Sequence, residues 1–397
     1  MMLLASILIG TATLFLALPV LADLASLLRL PFARRPARPA ASEPPSLLFL
    51  VPAHDEELLI GACLRSLRAM RYPRERLEVV VVADNCTDRT AEIVRSLGFR
   101  CLERSDRLNP GKPRAIAWAL QQVALADYDA VSIVDADSLL DPGFAAALAT
   151  AAPLRDKAVQ CYNDVSNRTD SALTRMAYVF SAARFRFMNP LKQRVGLNSP
   201  FGNGLCIGAG VLERHGWTAF SICEDWELYA IYTRAGVRIE NVPAARIFSQ
   251  EAKSLRQSSS QRQRWTGGRM SIMLGQSGPL LRSTRIGIHQ KLDLLAEITA
   301  QGPVVQAGAA LVLSMLLLWL QPPGAPLLLA ALAASVLRLA AYTILALRLD
   351  PEPGRALLAF LHLPFYMVWR IGVQLASMRL ARGVGAWVRT ARHAPAA

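Results

Sequence analysis

At 397 residues the chain is long enough for two or three soluble domains, but 53% hydrophobic residues against 19% charged ones call for a membrane share. Forty-four Lys and Arg against 30 Asp and Glu leave a net charge of +14. So apolar a chain is no disordered polycation, so the positive charge belongs to a folded protein that faces phosphate or anionic lipid. Cys63, Cys86, Cys101, Cys161, Cys206 and Cys223 are widely spaced with no C-x-x-C pair, which excludes a small disulfide scaffold and the usual zinc spacing.

From 1 to 22 no side chain is charged, a run long enough to cross ~30 Å of hydrocarbon as a helix. An N-terminal transmembrane helix is therefore expected over 1–30. It reads as retained rather than cleaved at Val20-Leu21-Ala22, because no Lys or Arg precedes it and apolar sequence resumes through Leu30. The Pro/Ala-rich linker 31–45 carries Arg34, Arg35 and Arg38, which by the positive-inside rule puts the following chain in the cytoplasm.

Between 46 and 275 no apolar run reaches membrane length, and strand-like and helix-like segments alternate. A strand at 47–51 precedes a helix at 56–70 with Leu59, Cys63, Leu67 and Met70 on one face. A second strand, 78–83, is apolar from Val79 to Ala83, as expected for a parallel strand covered on both sides. Helix 88–97, strand 99–103, helix 111–126 and strand 130–134 continue the alternation. Such β-α repetition predicts a doubly wound α/β sheet, whose ligands sit beyond the carboxyl ends of the strands.

An amphipathic interfacial segment is expected over 276–302, followed by apolar stretches near 303–320, 325–347 and 356–378. The uncharged turn Gln321-Pro322-Pro323-Gly324 suits the outer face, and the loop with Arg348, Asp350, Glu352 and Arg355 the inner one. A third full crossing would export the basic tail 379–397, with Arg379, Arg382, Arg389 and Arg392. The stretch 356–378, which holds His362, Pro364 and Arg370, is therefore expected to lie in the interface or re-enter.

Polar clusters stand at three of the strand ends: Pro52-Ala53-His54-Asp55-Glu56-Glu57, Ala83-Asp84-Asn85-Cys86-Thr87-Asp88 and Asp135-Ala136-Asp137-Ser138. Any one of them is explained by helix capping or a turn. Capping does not explain their common position. Asp135 and Asp137 on a tight loop suit a hard divalent cation, Mg²⁺ or Mn²⁺ rather than zinc, that shares its remaining positions with diphosphate oxygens. Further on, Glu224 and Asp225 open an amphipathic helix, either as dipole partners or as a general base. Phe201-Gly202-Asn203-Gly204 allows the close backbone approach an acceptor loop needs, or is simply a turn. The segment 251–292 carries Lys253, Arg256, Arg262, Arg264, Arg269, Arg282, Arg285 and Lys291 against Glu251 alone. Next to membrane stretches, this suits phosphate or a lipid surface better than nucleic acid.

In this order, with Gln261-Arg262-Gln263-Arg264-Trp265 following Glu224-Asp225, the motifs resemble those of membrane-embedded inverting family 2 glycosyltransferases, the group of cellulose, hyaluronan and poly-N-acetylglucosamine synthases and ceramide glucosyltransferases. The resemblance spans about 45–275 and implies a GT-A-like mixed sheet flanked by transmembrane helices. It implies that Asp84 holds the uracil of a UDP-sugar, that Pro52, His54 and Glu56 shape the nucleotide pocket, and that Lys112 lies near the nucleotide. Asp135 is expected at ribose or sugar, Asp137 at the metal, Asp225 as catalytic base, Arg264 at the diphosphate, and Gln261 and Trp265 with the acceptor. Ala83 stands where many relatives have a second acid. The expected partners are a nucleotide-sugar donor, a saccharide or lipid-linked acceptor and membrane lipid, with no nucleic acid; partner subunits or a homo-oligomer stay open. Polysaccharide synthesis at the cytoplasmic membrane leads, with glycolipid formation behind it because so few helices make a narrow polymer channel. A nucleotidyltransferase would have no need of the Glu224-Asp225 and Gln261–Trp265 motifs.

Overall fold

The computed structural model describes residues 2–33, 43–300 and 302–380; Arg34, Arg35 and Arg38 of the linker and Arg382, Arg389 and Arg392 of the tail lie outside them. The described chain forms two compact units, one of 43–167 and 198–251 and the other of 2–33, 168–197 and 252–380 without 301.

The first unit is built on eight strands: β1 Leu47–Ala53, β2 Leu77–Asp84, β3 Arg100–Arg104, β4 Ala130–Ile133, β5 Leu139–Leu140, β6 Ala158–Val165, β7 Leu205–Gly208 and β8 Ile239–Ser249, in the order β3-β2-β1-β4-β7-β6-β8-β5. From β3 to β4 the pairing is parallel. Beyond β4 the sheet turns mixed: β7 runs antiparallel to β4 and β6, β8 parallel to β6, and β5 antiparallel to β8. β1 is buried along its whole length and β2 over its last six residues, which accounts for their unbroken apolar runs. Phe49 of β1 meets Phe144 of helix Phe144–Ala149 edge to face at 5.9 Å, within a core that includes Leu64 and Leu67 of helix Ile60–Arg68.

The helices are shorter than their apolar periodicity predicts. Asp55 takes a left-handed backbone (φ 52°), and the N–H groups of Glu56 and Glu57 bond to Thr90 and Asp88, so the loop after β1 stays irregular until Ile60. The strands of the mixed half, β5 to β8, lie beyond the last strand that the alternation indicated.

Among the described residues, the second unit contains four helices long and apolar enough to cross a membrane, within Ser6–Phe32, Pro303–Leu320, Ala325–Leu347 and Pro353–Ser377. The last includes 356–378, the stretch expected in the interface; it has the length and composition to cross, although a 3-10 turn at Phe360–His362 interrupts its helix. The turn at 321–324 forms as expected, with Gln321 and Gly324 left-handed. Asp23 of helix Met2–Arg29 pairs with Arg338 at 2.7 Å and accepts from the Tyr342 hydroxyl at 2.9 Å, joining the first apolar helix to helix Ala325–Leu347. Two segments that the sequence reading placed with the sheet, 168–197 and 252–275, belong to this unit instead, and helix Leu255–Arg282 runs straight through the expected boundary at 275. A physical reason is Lys192, buried between Asp293 and Glu297 at 2.7 and 2.6 Å; both acids lie on helix Ile288–Thr299.

At the end of β7, a Cβ on Gly208 would lie 2.2 Å from the Leu154 carbonyl oxygen and 2.3 Å from that of Arg155. Gly208→Ala is expected to cost about 3 kcal/mol, since backbone must move to admit the methyl. Thermal unfolding of the purified variant checks this; an unchanged Tm would show that the strand end yields freely.

Candidate active site

The loops after β1 and β2 clasp each other. His54 Nδ1 lies 2.7 Å from the Asp84 carbonyl oxygen, and the Asp55 carboxylate accepts from the Thr87 N–H at 2.6 Å and the Thr87 hydroxyl. Asp88 accepts from the Thr90 N–H at 2.9 Å, the capping role that Asp88 alone could have suggested. Pro52 is buried within β1, and Glu56 lies in the loop beyond it.

The Asp84 side chain is buried and its oxygens have partners within the chain. Oδ1 accepts from Arg104 at 2.6 Å and from Asn85 at 3.1 Å, and Oδ2 from the Gly111 N–H at 3.3 Å. Arg104 continues to Asp106 at 2.7 Å and the Asn109 carbonyl at 2.8 Å. Sequence reading missed Arg104; its only signal there is its place at the end of a strand.

Asp55, Cys86 and Asp88 are close enough to share one ion. The thiol does not suit one: burial pushes Cys86 up to about 11, so it keeps its proton and offers no thiolate to a cation.

A denser charge cluster forms where β4 ends. Lys112, at the start of helix Lys112–Leu120, places Nζ 2.7 Å from Asp135 Oδ1 and 2.8 Å from Glu224 Oε1. Burial works against this ammonium, but Asp135 and Glu224 outweigh it and hold its pKa above the ordinary value. Glu224 and Asp225 begin helix Glu224–Arg234, whose preceding turn is fixed by Glu227 accepting from the N–H groups of Phe220 and Ser221 at 3.1 and 2.9 Å. Loss of hydration, then the charge of Glu224, pushes the Asp225 carboxyl up to about 7, against the pull of Lys112. Asp225 is thus a carboxylate made basic near neutrality.

The loop 135–138 is held by Asn203. Its Oδ1 accepts from the Asp135 N–H at 3.3 Å, and its Nδ2 donates to the hydroxyls of Ser138 at 2.7 Å and Ser249 at 2.9 Å. The neighbouring glycines make this approach feasible. Gly202 N–H donates to Gln160 Oε1 at 2.8 Å, and Gly204 has φ +76° with room for no Cβ, which would lie 2.9 Å from Ile247 Cγ2. The segment 202–204, expected to meet an acceptor, therefore braces the acidic loop. Asp137 lines a cleft with Leu59, Leu139 and Phe248. Asp135 and Asp137 offer only oxygen donors, which fits Mg²⁺ or Mn²⁺.

Gln261, Arg264 and Trp265 lie in the second unit, on helix Leu255–Arg282, where the Arg262 guanidinium stacks 4.7 Å over the Trp265 ring. The cluster that the sheet assembles is therefore Lys112, Asp135, Glu224 and Asp225, braced by Asn203.

A mixed α/β sheet of this topology with acidic loops at its strand ends is a GT-A-like fold. Residues 44–268 match the family model described as glycosyltransferase-like family 2, and the chain belongs to that family. It is 27% identical to the "Probable glycosyltransferase YdaM" of Bacillus subtilis over 241 residues, 58% of this chain and 57% of the relative. It is 27% identical to the "Beta-monoglucosyldiacylglycerol synthase" of a Nostoc species over 197 residues, 46% of this chain and 40% of the relative. The chain thus spans about half the length of these curated relatives. Among solved structures, the mannosyltransferase PcManGT of Pyrobaculum calidifontis, in complex with GDP-Man and Mn²⁺, has a similar fold, with a TM-score of 0.59 at 20% identity over 96% of this chain and 98% of that one.

Asn203→Ala removes three hydrogen bonds worth about 1 kcal/mol each. It is expected to lower stability by ~2–3 kcal/mol. Thermal unfolding of the purified variant checks this; an unchanged Tm would show that the acidic loop holds itself.

Proposed function

We propose that this protein is an inverting glycosyltransferase that moves a sugar from a nucleotide-sugar donor to a lipid-borne acceptor at the cytoplasmic face of a membrane. The observation that carries the reading is Asp225, a carboxylate with a pKa near 7 beside the Lys112–Asp135–Glu224 cluster at the carboxyl ends of the strands. A base of this strength takes the proton of an acceptor hydroxyl as its oxygen bonds to the anomeric carbon and the bond to the diphosphate breaks. Attack from the face opposite the leaving group inverts the anomeric centre. Asp135 and Asp137 would hold a divalent cation, which when bound supplies positive charge to the departing diphosphate. Lys112 keeps Glu224 and Asp135 compensated, so that Asp225 is the carboxylate of the cluster left to accept a proton.

The sequence resemblance favours a UDP-sugar, with Asp84 and the loops of Pro52, His54 and Glu56 around the base. It also gives Arg264 to the diphosphate and Gln261 and Trp265 to the acceptor. Sequence reading put a polysaccharide product ahead of a glycolipid. The relative named for glucosyldiacylglycerol synthesis favours the lipid instead. A second reading, the polysaccharide, is supported by 23% identity over 270 residues to the "Glucomannan 4-beta-mannosyltransferase 7" of Arabidopsis thaliana.

The test is nucleoside diphosphate release by the protein in nanodiscs with a panel of UDP- and GDP-sugars, with Mg²⁺ or Mn²⁺ against EDTA, followed by sizing of the product. A lipid-sized product is expected and a ladder would favour the polysaccharide; inorganic diphosphate release would mean nucleotidyl transfer instead. Asp225→Asn is expected to lower kcat by about 10³-fold at normal protein levels, whereas near wild-type turnover would remove Asp225 as base.

The pH profile is a separate test. The base works ionised, so kcat/KM should fall as pH drops below about 7. Lys112→Met removes a charge that favours the Asp225 carboxylate, so the limb should move to higher pH whatever the loss in rate. A limb that stays in place or moves to lower pH would contradict the electrostatic account.

A further inference from the structure

Among the described residues of the second unit is a buried charge that its packing does not explain. Arg370 lies on helix Leu363–Leu380, inside the apolar stretch Pro353–Ser377, and is only 8% exposed. Its Nη1 has no hydrogen-bond partner, and neither does Oε1 of Gln374, one turn further along the same face. No described acid is left to neutralise it. The acidic residues described in this unit are all paired with other bases: Asp23 with Arg338, Asp170 with Lys253, Asp293 and Glu297 with Lys192, Asp350 with Arg175, and Glu352 with Arg175 and Arg355.

The helix that packs along Leu363–Leu380 increases the deficit. It is Leu255–Arg282, which carries Arg262. Arg262 itself stacks on Trp265 and donates to the Ser258 hydroxyl at 3.3 Å. A second neighbour, helix Pro303–Leu320, brings no charge and approaches so closely at Gly308 that a Cβ there would lie 3.3 Å from Ile371 Cδ1. A buried guanidinium in apolar surroundings is costly unless an anion meets it.

We propose that Arg370, together with Arg262, binds the phosphate group of an anionic membrane lipid. Helix Pro353–Ser377 has the composition of a lipid-facing element, and a fork of N–H donors is the side chain suited to phosphate. Gln374 supplies an acceptor next to it for a hydroxyl of the headgroup. Both arginines lie in the second unit, and the proposal does not depend on the reaction proposed for the sheet domain.

The test is thermal unfolding of the full chain in neutral detergent, titrated with phosphatidic acid, with net-neutral phosphatidylcholine, or with inorganic phosphate. Phosphatidic acid is expected to raise Tm in a saturable way and phosphatidylcholine not to. Arg370→Gln should require at least tenfold more phosphatidic acid for the same rise, and Arg370→Lys should recover part of it. If Arg370→Gln does not yield folded protein, Arg262→Gln gives the second reading, with an expected loss of severalfold. Equal responses of wild type and both Gln variants to phosphatidic acid would overturn the proposal. So would a rise produced as fully by millimolar inorganic phosphate, which would make this a free-anion site.

Discussion

The site depends on one ammonium among carboxylates. Asp135, Glu224 and Asp225 come from segments about ninety residues apart, and left alone they would repel one another and take up protons. Lys112, 2.7 Å from Asp135 and 2.8 Å from Glu224, binds two of them and leaves the third in a partly dehydrated setting where it holds its proton near neutrality. The sheet makes this possible. Its parallel half points β4, whose following loop begins with Asp135, toward the same end as the helix that begins at Lys112, and the antiparallel strands return the chain so that helix Glu224–Arg234 starts there too.

The same logic of compensated charge runs through the second unit, where it helps decide which helices meet. Lys192 is buried against Asp293 and Glu297, and Arg184 reaches Glu297 at 3.2 Å. Burial, opposed by Lys192, pushes the Asp293 carboxyl up to about 6, whereas Arg184 and Lys192 overcome burial at Glu297 and hold it well below the usual carboxylate range. Such pairs gain little net stability over apolar packing, but breaking one strands a charge. That asymmetry ties 168–197 to helix Ile288–Thr299.

Much of the sheet domain was legible because its signals are local. The runs around Leu47–Ala53 and Leu77–Asp84 read as buried parallel strands, and the acidic clusters lay where strand ends predicted them. What sequence could not show depends on distant partners. Arg104 is an ordinary strand residue until Asp84, 20 positions away, folds against it. Asn203 looked like part of an acceptor loop, and its bonds to Asp135 and Ser138, 68 and 65 residues away, make it a brace. The helix over 56–70 was overextended because its apolar period runs back into a loop whose N–H groups are held by Thr90 and Asp88. The boundary at 275 failed for a similar reason, since composition changes there while helix Leu255–Arg282 does not.

The reaction we propose is a single displacement with Asp225 as the proton acceptor. It is tested most directly by the anomeric configuration of the product, read by NMR from the coupling at the newly formed glycosidic carbon after transfer from an α-linked nucleotide-sugar. A β linkage is the result this account predicts. An α linkage would contradict it, because retention requires either a second displacement or front-face attack, and neither assigns Asp225 the role that its position and raised pKa give it.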